Sequence, residues 1–179
     1  MTSVAGDDAA GRPAAAIAVL VTRGLTVAAA ESLTGGLVTA ALTTVPGSSV
    51  VVRGGIVAYA ADLKSGLLGV DAELLAMVGT VHRDVALAMS TGARERLGAS
   101  VGVATTGVAG PDPADGQPVG TVHIAVSMAG VMRHEALMLS GDREAIRQAT
   151  VDHVLKLLVA MLKETGPKAA GPRVVEDNA

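Results

Sequence analysis

The sequence predicts a single layered α/β domain built around a mixed β-sheet. Three observations lead to this fold class. Short β-branched runs alternate with helical apolar patterns, Gly or Pro punctuates the junctions, and the last two strands are spaced as a hairpin. A hairpin makes its strands antiparallel, so the sheet is mixed rather than purely parallel. With 179 residues, 50% of them apolar, the chain has enough material for one substantial core.

The first half of the chain begins with a helix and then alternates strands with helices. Pro13 suits the first turn of that helix, which ends near residues 23–24 and carries an apolar face of Ala16, Ile17, Leu20 and Val21. The next predicted elements are a strand at 26–30, a helix at 37–44, a strand at 50–59, and short helices at 61–68 and 72–78. Gly54-Gly55 interrupts the second strand, which indicates a bend or bulge.

The second half ends in the hairpin and a long helix. Its predicted elements are a helix at 84–97, a strand at 101–105, a loop at 107–118, strands at 119–128 and 132–139, and a helix at 142–163. Ala129-Gly130 separates the two hairpin strands, and Asp142 is placed to cap the last helix. Segments 1–11 and 166–179 lack apolar periodicity, so both are predicted to be disordered.

Composition argues against several classes of function. The 14 Lys+Arg and 17 Asp+Glu give a net charge of −3 with no basic run, so binding to nucleic acid is not expected. The absence of Cys rules out thiolate nucleophiles and Cys-ligated zinc, and the four His residues show no ligand spacing. No metal site is therefore expected. The N-terminus does not resemble a signal peptide and no apolar run approaches a membrane span, so we expect a cytoplasmic protein without membrane contact.

The segment 31–36, Glu-Ser-Leu-Thr-Gly-Gly, lies between the first predicted strand and the helix after it. Backbone N–H groups at a helix start can stabilise an oxyanion or a phosphate, and glycines let a ligand approach closely. Ser32 is therefore a candidate nucleophile, and Thr34, Gly35 and Gly36 are candidate binding residues. The alternative is that Ser32 or Thr34 only caps the helix.

A serine nucleophile needs a base, and Lys64 is the candidate. Only His82 among the four His residues falls near a strand-end loop, whereas residues 58–64 run from a strand end into a helix. A lysine serves as a base when burial or a neighbouring positive charge lowers its pKa. Tyr59 is the chain's only aromatic residue among Phe, Tyr and Trp, so it cannot belong to an aromatic core cluster. The alternatives are a solvated Lys64 and a Tyr59 hydroxyl in water.

The third candidate segment is the loop that follows the strand at 101–105. Its Thr106, Gly107 and Gly110 suit phosphate or ribose binding, although the segment is not a Walker loop and could equally be structural. Arg143 opens the last helix, where it can reach a phosphate. Its alternative is a surface ion pair with Glu144 or Asp142, worth under about 1 kcal/mol.

Seven motifs, taken in order along the chain, resemble a single family. They are Ala-Glu-Ser-Leu-Thr-Gly-Gly at 30–36, Val-Pro-Gly-Ser-Ser at 45–49, Gly-Gly-Ile-Val-Ala-Tyr at 54–59, Lys64 with Leu-Leu-Gly-Val at 67–70, Thr-Gly-Val-Ala-Gly-Pro at 106–111, Pro-Val-Gly-Thr-Val at 118–122 and Gly-Asp-Arg at 141–143. Over about residues 14–163 the sequence thus resembles the CinA C-terminal-domain family, also called the nicotinamide-nucleotide amidases.

The resemblance implies a three-layer α/β/α sandwich, with an amidase-like domain at 12–165. It also implies hydrolysis of nicotinamide mononucleotide to nicotinate mononucleotide and ammonia. Ser32 would be the nucleophile and Lys64 the base, acting directly or through the Tyr59 hydroxyl, and no cofactor or metal would take part. Backbone N–H groups near residues 34–36 would hold the oxyanion, and Glu31 would orient Lys64 or bind ribose. The resemblance further implies a homo-oligomer, a dimer or larger, with the pyridine mononucleotide as its small-molecule partner.

Three departures separate this chain from the family pattern. Leu33 stands where the family usually has Cys, and His82 stands where it prefers a Ser that resembles a helix cap. Residues 112–117 replace a glycine pair and a Lys with a seemingly shorter loop, which affects the expected phosphate affinity. Two other functions therefore stay open: a nucleotide-binding regulatory module that has lost catalysis, and an amidase for another small substrate.

Overall fold

A five-stranded mixed sheet forms the middle layer of the computed structural model, which describes residues 11–165. The strands are β1 (Val27–Glu31), β2 (Val52–Val57), β3 (Val101–Gly107), β4 (Thr121–Met128) and β5 (Val131–Met138). Their spatial order is β2-β1-β3-β4-β5. The first three are parallel, whereas β4 pairs antiparallel with both β3 and β5. The mixed sheet and the C-terminal hairpin are therefore confirmed.

Helices cover both faces of the sheet and make the other two layers. They are α1 (Arg12–Arg23), α2 (Leu37–Thr43), α3 (Ala61–Leu68), α4 (Ala72–Val78), α5 (Arg83–Arg96) and α6 (Arg143–Glu164). On one face α1, α2 and α6 build the larger core, which includes Leu20, Leu42, Ile124 and Leu158. On the other face α3 and α5 pack through Leu68 and Met89 onto small sheet residues, namely Ala28, Ala30 and Ala104. The predicted three-layer α/β/α fold class is correct.

Two glycines allow α5 to approach its neighbours closely. A Cβ on Gly102 of β3 would lie 1.9 Å from the Ser90 carbonyl oxygen of α5, and one on Gly92 would lie 2.0 Å from the Leu68 carbonyl oxygen. Any side chain at either position would push α5 away from the sheet or from α3. This close packing brings the start of α5 near the ends of the parallel strands.

Several local expectations hold, and one side-chain placement is wrong. The predicted irregularity in β2 is a register shift, because Val27 pairs with Val52 while Ala28 pairs with Gly54. Asp142 caps α6 by accepting a hydrogen bond from the Ala145 N–H. Val21, expected on the apolar face of α1, is 50% exposed. The helix presents a narrower buried stripe than its apolar residues suggested.

The predicted chain ends lie almost wholly outside the described residues. Segments 1–10 and 166–179 are not described, and Gly11 is the N-cap residue of α1. Within residues 11–165, no helix combines the length and the apolar character needed to cross a membrane.

The sheet topology determines where a site can form. The carboxyl ends of β2, β1 and β3 lie side by side, since Glu31 pairs with both Val57 and Thr105. The Ser32 N–H donates to the Thr105 carbonyl at 3.0 Å, and the Ala58 N–H donates to the Glu31 carbonyl at 2.9 Å. The loops after all three strands therefore begin at one edge, where ligands bind in parallel α/β sheets.

Candidate functional site

Ser32 and Lys64 are in direct contact at this edge. The Lys64 Nζ lies 3.0 Å from the Ser32 Oγ, 2.7 Å from the Ala58 carbonyl oxygen and 3.3 Å from the Tyr59 carbonyl oxygen. The two carbonyls can only accept hydrogen bonds. A neutral Lys64 amine has two N–H groups for these carbonyls, which leaves its lone pair facing the Ser32 hydroxyl.

The surroundings of Lys64 favour this neutral form. Its side chain is fully buried in α3, with 0% exposure. Burial lowers the pKa of Lys64 to about 8, and the Asp115 carboxylate partly opposes that decrease. With this pKa, roughly a tenth of the Lys64 amine is neutral at pH 7 and about half at pH 8, and this fraction can act as the base that a serine requires. The alternative of a solvated lysine is excluded.

Glu31 has a different role from the one expected. Its carboxylate accepts hydrogen bonds from the N–H groups of Gly36, Val38 and Thr39, and from the Thr39 hydroxyl. Glu31 is 1% exposed, so it neither contacts Lys64 through a hydrogen bond nor presents an oxygen to a ligand. It caps α2, whose N-cap residue is Gly36, and neither Ser32 nor Thr34 does so. An acidic group at a helix N-terminus is favourable because it complements the helix dipole.

The turn after Ser32 is held from two sides. The Gly35 N–H donates to the Ser32 carbonyl, and the Thr34 Oγ1 lies 2.8 Å from the Thr105 Oγ1. Arg147 of α6 donates to the carbonyls of Leu33 and Thr34, both at 3.1 Å. Thr34 is fully buried, so its hydroxyl serves the fold. Arg147 was not predicted from the sequence, because it lies 114 residues from Leu33 and 113 residues from Thr34 along the chain.

The donors expected for an oxyanion need correction. The N–H groups of Gly35 and Gly36 are already bonded to the Ser32 carbonyl and to Glu31. Among residues 11–165, the Leu33 N–H makes no hydrogen bond, and Leu33 lines the same cavity as Ser32. In serine hydrolases the N–H of the residue after the nucleophile commonly contributes to the oxyanion hole. The Thr34 N–H likewise makes no hydrogen bond in this range, so Leu33 and Thr34 are the candidate donors, and the Leu33 side chain is irrelevant to that role.

Tyr59 joins the site, but its hydroxyl does not relay to Lys64. The side chain of Arg143 donates to the Tyr59 hydroxyl at 2.9 Å and to the Gly110 carbonyl at 2.6 Å. Only the Tyr59 carbonyl contacts Lys64. Arg143 makes neither of the surface ion pairs considered above, and Glu144 instead pairs with Arg147 at 2.7 Å. The phenol therefore helps to hold an arginine at the pocket.

The loop at 112–117 is an ordered turn. Ala114 and Gln117 exchange two backbone hydrogen bonds, and Asp115 and Gly116 between them have φ values of +51° and +70°. An Asp-Gly pair with positive φ at both positions is typical of a type I′ turn. The turn brings Asp115 to Thr80, whose N–H and hydroxyl both donate to one Asp115 carboxylate oxygen. Asp115 was not singled out from the sequence, although Asp-Gly is a recognisable turn signal.

Thr106 holds the backbone of Thr80 in place. The Thr106 hydroxyl donates to the Thr80 carbonyl at 2.7 Å, and Thr106 itself is 1% exposed. Its hydroxyl thus fixes the fold and does not face a ligand.

His82, two residues after Thr80, caps α5 through its Nδ1, which accepts a hydrogen bond from the Asp84 N–H at 3.2 Å. The histidine performs the capping that the family's serine suggested.

A cavity of about 150 Å³ unites these groups. Its lining includes Ser32, Leu33, Tyr59, Thr80, Asp115 and Arg143, together with Gly107. A larger groove of about 330 Å³ between α3, α5 and β5 shares no lining residue with this cavity. Within residues 11–165, no three His, Asp or Glu side chains are grouped so that they could hold a metal ion.

The predicted site residues therefore divide into two groups. Ser32, Lys64, Tyr59, Gly107 and Arg143 converge on the cavity or contact a residue that lines it. The others act on the framework, since Glu31 and Gly36 form the cap of α2, Thr34 and Thr106 are buried, Gly35 closes the turn, and Gly110 holds Arg143. The chemistry available is that of a serine with a buried amine as its base.

Comparison with known proteins agrees with this fold. The family model for the CinA C-terminal domain matches residues 12–162. A CinA-like protein of Frankia casuarinae is 49% identical over 146 residues, which are 82% of this chain and 34% of that protein. A putative competence-damage inducible protein of Desulforamulus reducens is 47% identical over 139 residues, or 78% of this chain and 34% of that protein. The chain thus spans about a third of these relatives' length.

Solved structures match over their full length. The competence/damage inducible protein CihA from Agrobacterium tumefaciens has a TM-score of 0.83 and 40% identity, covering 91% of this chain and 99% of that one. A CinA superfamily protein from Klebsiella pneumoniae has a TM-score of 0.84 and 30% identity, covering 88% and 99%. With the family model matched across the whole sandwich, the chain belongs to the CinA C-terminal domain family.

Proposed function

We propose that this protein hydrolyses the carboxamide of nicotinamide mononucleotide to nicotinate mononucleotide and ammonia. The observation that carries the proposal is the 3.0 Å contact between the Ser32 hydroxyl and a fully buried Lys64 amine. Acyl transfer requires a nucleophile and a base that takes its proton. A serine beside a buried lysine of lowered pKa provides both. The identity of the substrate comes from the family resemblance, and the pocket's cationic Arg143 suits its phosphate.

The first half of the proposed reaction forms an acyl-enzyme. Lys64 takes the Ser32 proton while the Ser32 Oγ bonds to the carboxamide carbon, and the carbonyl electron pair moves to oxygen. The Leu33 N–H is free to stabilise that oxyanion. The carbon–nitrogen bond then breaks, and protonated Lys64 gives its proton to the departing nitrogen, which leaves as ammonia.

The second half releases the acid. A water molecule gives a proton to Lys64 while the water oxygen bonds to the acyl carbon. The bond between the acyl carbon and the Ser32 Oγ then breaks, and protonated Lys64 returns the proton to Ser32. The nicotinate carboxylate and free enzyme result. This route uses Lys64 directly, because the Tyr59 hydroxyl is bonded to Arg143. No cofactor takes part in the proposed steps.

The decisive experiment measures ammonia release from nicotinamide mononucleotide. We expect Ser32→Ala and Lys64→Met each to lower kcat by about a thousandfold or more, since the nucleophile and its base act as a unit. Ser127→Ala is the control, because Ser127 is also buried, at 1% exposure against 8% for Ser32, and its hydroxyl has no partner within the described chain. Folding is checked by circular dichroism. Ser32→Ala turnover within about tenfold of wild type would overturn the proposal.

One observation favours a second candidate, a nucleotide-binding module without catalysis. Residues 112–117 hold an Asp-Gly turn where the family commonly has glycines and a lysine, so the anionic Asp115 faces the pocket. Such a module would bind nicotinamide mononucleotide in a calorimetric titration and release no ammonia during long incubation. An amidase for another substrate would show turnover on a panel of amides lacking phosphate.

We also propose that the chain acts in the cytoplasm and self-associates. What supports self-association is the outer strand β5, whose far edge pairs with no other strand among residues 11–165. An unpaired strand edge is a surface on which a second chain can add. Net charge and composition favour neither nucleic acid nor a membrane as a partner.

A further inference from the structure

Asp115 is fixed at the edge of the Ser32 cavity by more contacts than a surface loop residue normally makes. The type I′ turn at 114–117 gives Asp115 its positive φ of 51° without strain on the neighbouring strands. One carboxylate oxygen, Oδ2, accepts both the N–H and the hydroxyl of Thr80. Thr80 is in turn held by the hydrogen bond from Thr106. The position of this carboxylate is therefore set by three chain segments.

The second oxygen of Asp115 is available to a ligand. Oδ1 makes no hydrogen bond to any residue between 11 and 165, and Asp115 lines the same cavity as Ser32. The hydrogen bonds from Thr80 lower the pKa of Asp115 below its usual range, so the group is ionised at neutral pH. An ionised carboxylate with a free oxygen attracts a cation or an N–H donor.

The other charged groups at the cavity have separate tasks. Arg143 is bonded to Tyr59 and Gly110, and Lys64 faces Ser32 from its buried position. Lys64 attracts Asp115 electrostatically, but neither Lys64 nor Arg143 forms an ion pair with it among residues 11–165. A substrate that carries its positive charge close to the reacting carboxamide would place that charge near Asp115, and a neutral amide would gain no such attraction.

We propose that Asp115 is a specificity-determining residue that selects carboxamides borne on a positively charged ring, such as an N-substituted pyridinium, over neutral amides of the same shape. This inference rests on the proposed function, because it takes the Ser32 cavity to be the substrate site. It assigns recognition of the ring charge to Asp115 and leaves the phosphate to Arg143.

A pair of ligands that differ in ring charge tests the inference directly. Oxidised nicotinamide mononucleotide has a cationic ring, whereas its 1,4-dihydro form has a neutral ring with the same carboxamide, ribose and phosphate. We expect the Ser32→Ala protein, which binds without turnover, to prefer the oxidised ligand by about tenfold in Kd. The preference should weaken as ionic strength rises, because the carboxylate is exposed to solvent.

The variant Asp115→Asn separates charge from structure. Asparagine retains an oxygen that can accept from Thr80, but it carries no charge. In the Ser32→Ala background, we expect Asp115→Asn to bring the two Kd values within about twofold of each other, mainly by weakening the oxidised ligand. Asp112→Asn is the matched control, because Asp112 is an exposed carboxylate of the same loop that does not line the cavity.

Two results would overturn the inference. One is an unchanged preference in Asp115→Asn, and the other is an equal loss of affinity for both ligands, which would mean that Asp115 only supports the loop. Failure of the proposed function is seen separately, as absence of ammonia release by the wild-type protein, because the binding comparison needs no turnover.

Discussion

At the scale of single residues, the burial of Lys64 determines its chemistry. Its Nζ reaches only two carbonyls and one hydroxyl, and its side chain is closed to solvent. An ammonium in that position would keep its charge with little hydration, which is costly. The lowered pKa therefore follows from burial, and both the burial and the contacts depend on α3 holding Lys64 beside Ser32 and the Ala58 carbonyl.

The pH dependence of turnover should report this amine. Because the base form is needed, we expect kcat/KM to rise with pH through a midpoint near 8 and to fall about tenfold per pH unit below it. Asp115 stabilises the ammonium form of Lys64, so removing that charge lowers the lysine pKa further. Asp115→Asn should then move the midpoint to lower pH in a profile of ammonia release, while Asp112→Asn leaves it in place. A midpoint that rises in Asp115→Asn would contradict this electrostatic coupling.

Which site residues the sequence could predict depends on how local their contacts are. The Ser32 and Lys64 pairing was predictable because both residues follow strand ends at the same edge of the sheet. Glu31 was assigned wrongly, since its position beside Ser32 gave no sign that its carboxylate turns back to cap α2. The contact of Arg147 with Leu33 and that of Asp115 with Thr80 join residues distant in sequence, so no local pattern predicts these contacts, although Asp-Gly does signal the turn that carries Asp115.

At the scale of elements, the antiparallel pair of β4 and β5 contains a titratable cluster. The His123 Nδ1 lies 2.9 Å from the His134 Nε2, and the rings stack with centroids 5.1 Å apart. The His82 ring, at the start of α5, is 6.4 Å from that of His123. Burial, followed by neighbouring histidines, lowers the pKa of both His123 and His134 below 6.5, and Arg83 adds to the effect at His134 while Asp84 opposes it.

This cluster should make the fold less stable in mild acid. The unfolded chain binds protons at these histidines more readily than the folded chain, so stability is complete above about pH 6.5 and declines as pH falls through the lowered values. Both rings are partly exposed, so solvent screening limits the effect. We expect His134→Asn to reduce the loss of Tm between pH 7.5 and 5 by about 2 °C in calorimetry.

The control for this measurement is His153→Asn, which removes a histidine of α6 outside the cluster. It should leave the pH slope of Tm close to wild type. A His134→Asn protein that loses as much Tm in acid as wild type would show that the pair does not control acid stability.

The elements themselves were predicted more reliably than their contacts. Residues 61–68 and 72–78 were expected to be helices and have those bounds in α3 and α4, because Gly69 and Gly79 follow them directly. The strand predicted at 50–59 is shorter, since residues 48–50 form a 3-10 turn before β2 begins. The segment 107–118 was predicted only as a loop, but it contains a turn whose Asp-Gly pair is a purely local signal. Its role at Thr80 depends on packing that only the fold provides.

At the scale of the whole molecule, the sheet formed by residues 11–165 ends in a strand whose outer edge is unpaired within that range. β5 lies at the edge of the sheet, contains neither Pro nor Gly, and exposes Val131, Met132 and Met138 by 40%, 57% and 66%. Soluble proteins usually protect such an edge with a covering segment, a bulge or charged residues. The exposed apolar residues and the unpaired backbone together favour pairing with a second copy of the chain.

The sequence of β5 also fits pairing with itself. If two copies pair antiparallel around a two-fold axis beside His134, Arg133 of each copy lies opposite Glu135 of the other. We therefore expect a dimer in sedimentation velocity experiments, and we expect Glu135→Arg to weaken it by at least about tenfold, because like charges then face each other twice. Glu73→Arg on α4 makes the same charge change at an exposed site away from β5 and should leave the dimer intact. If the dimer persists in Glu135→Arg, the two copies must associate through another surface. If the wild-type protein is a monomer at every concentration, β5 is an edge strand that this fold tolerates without a partner.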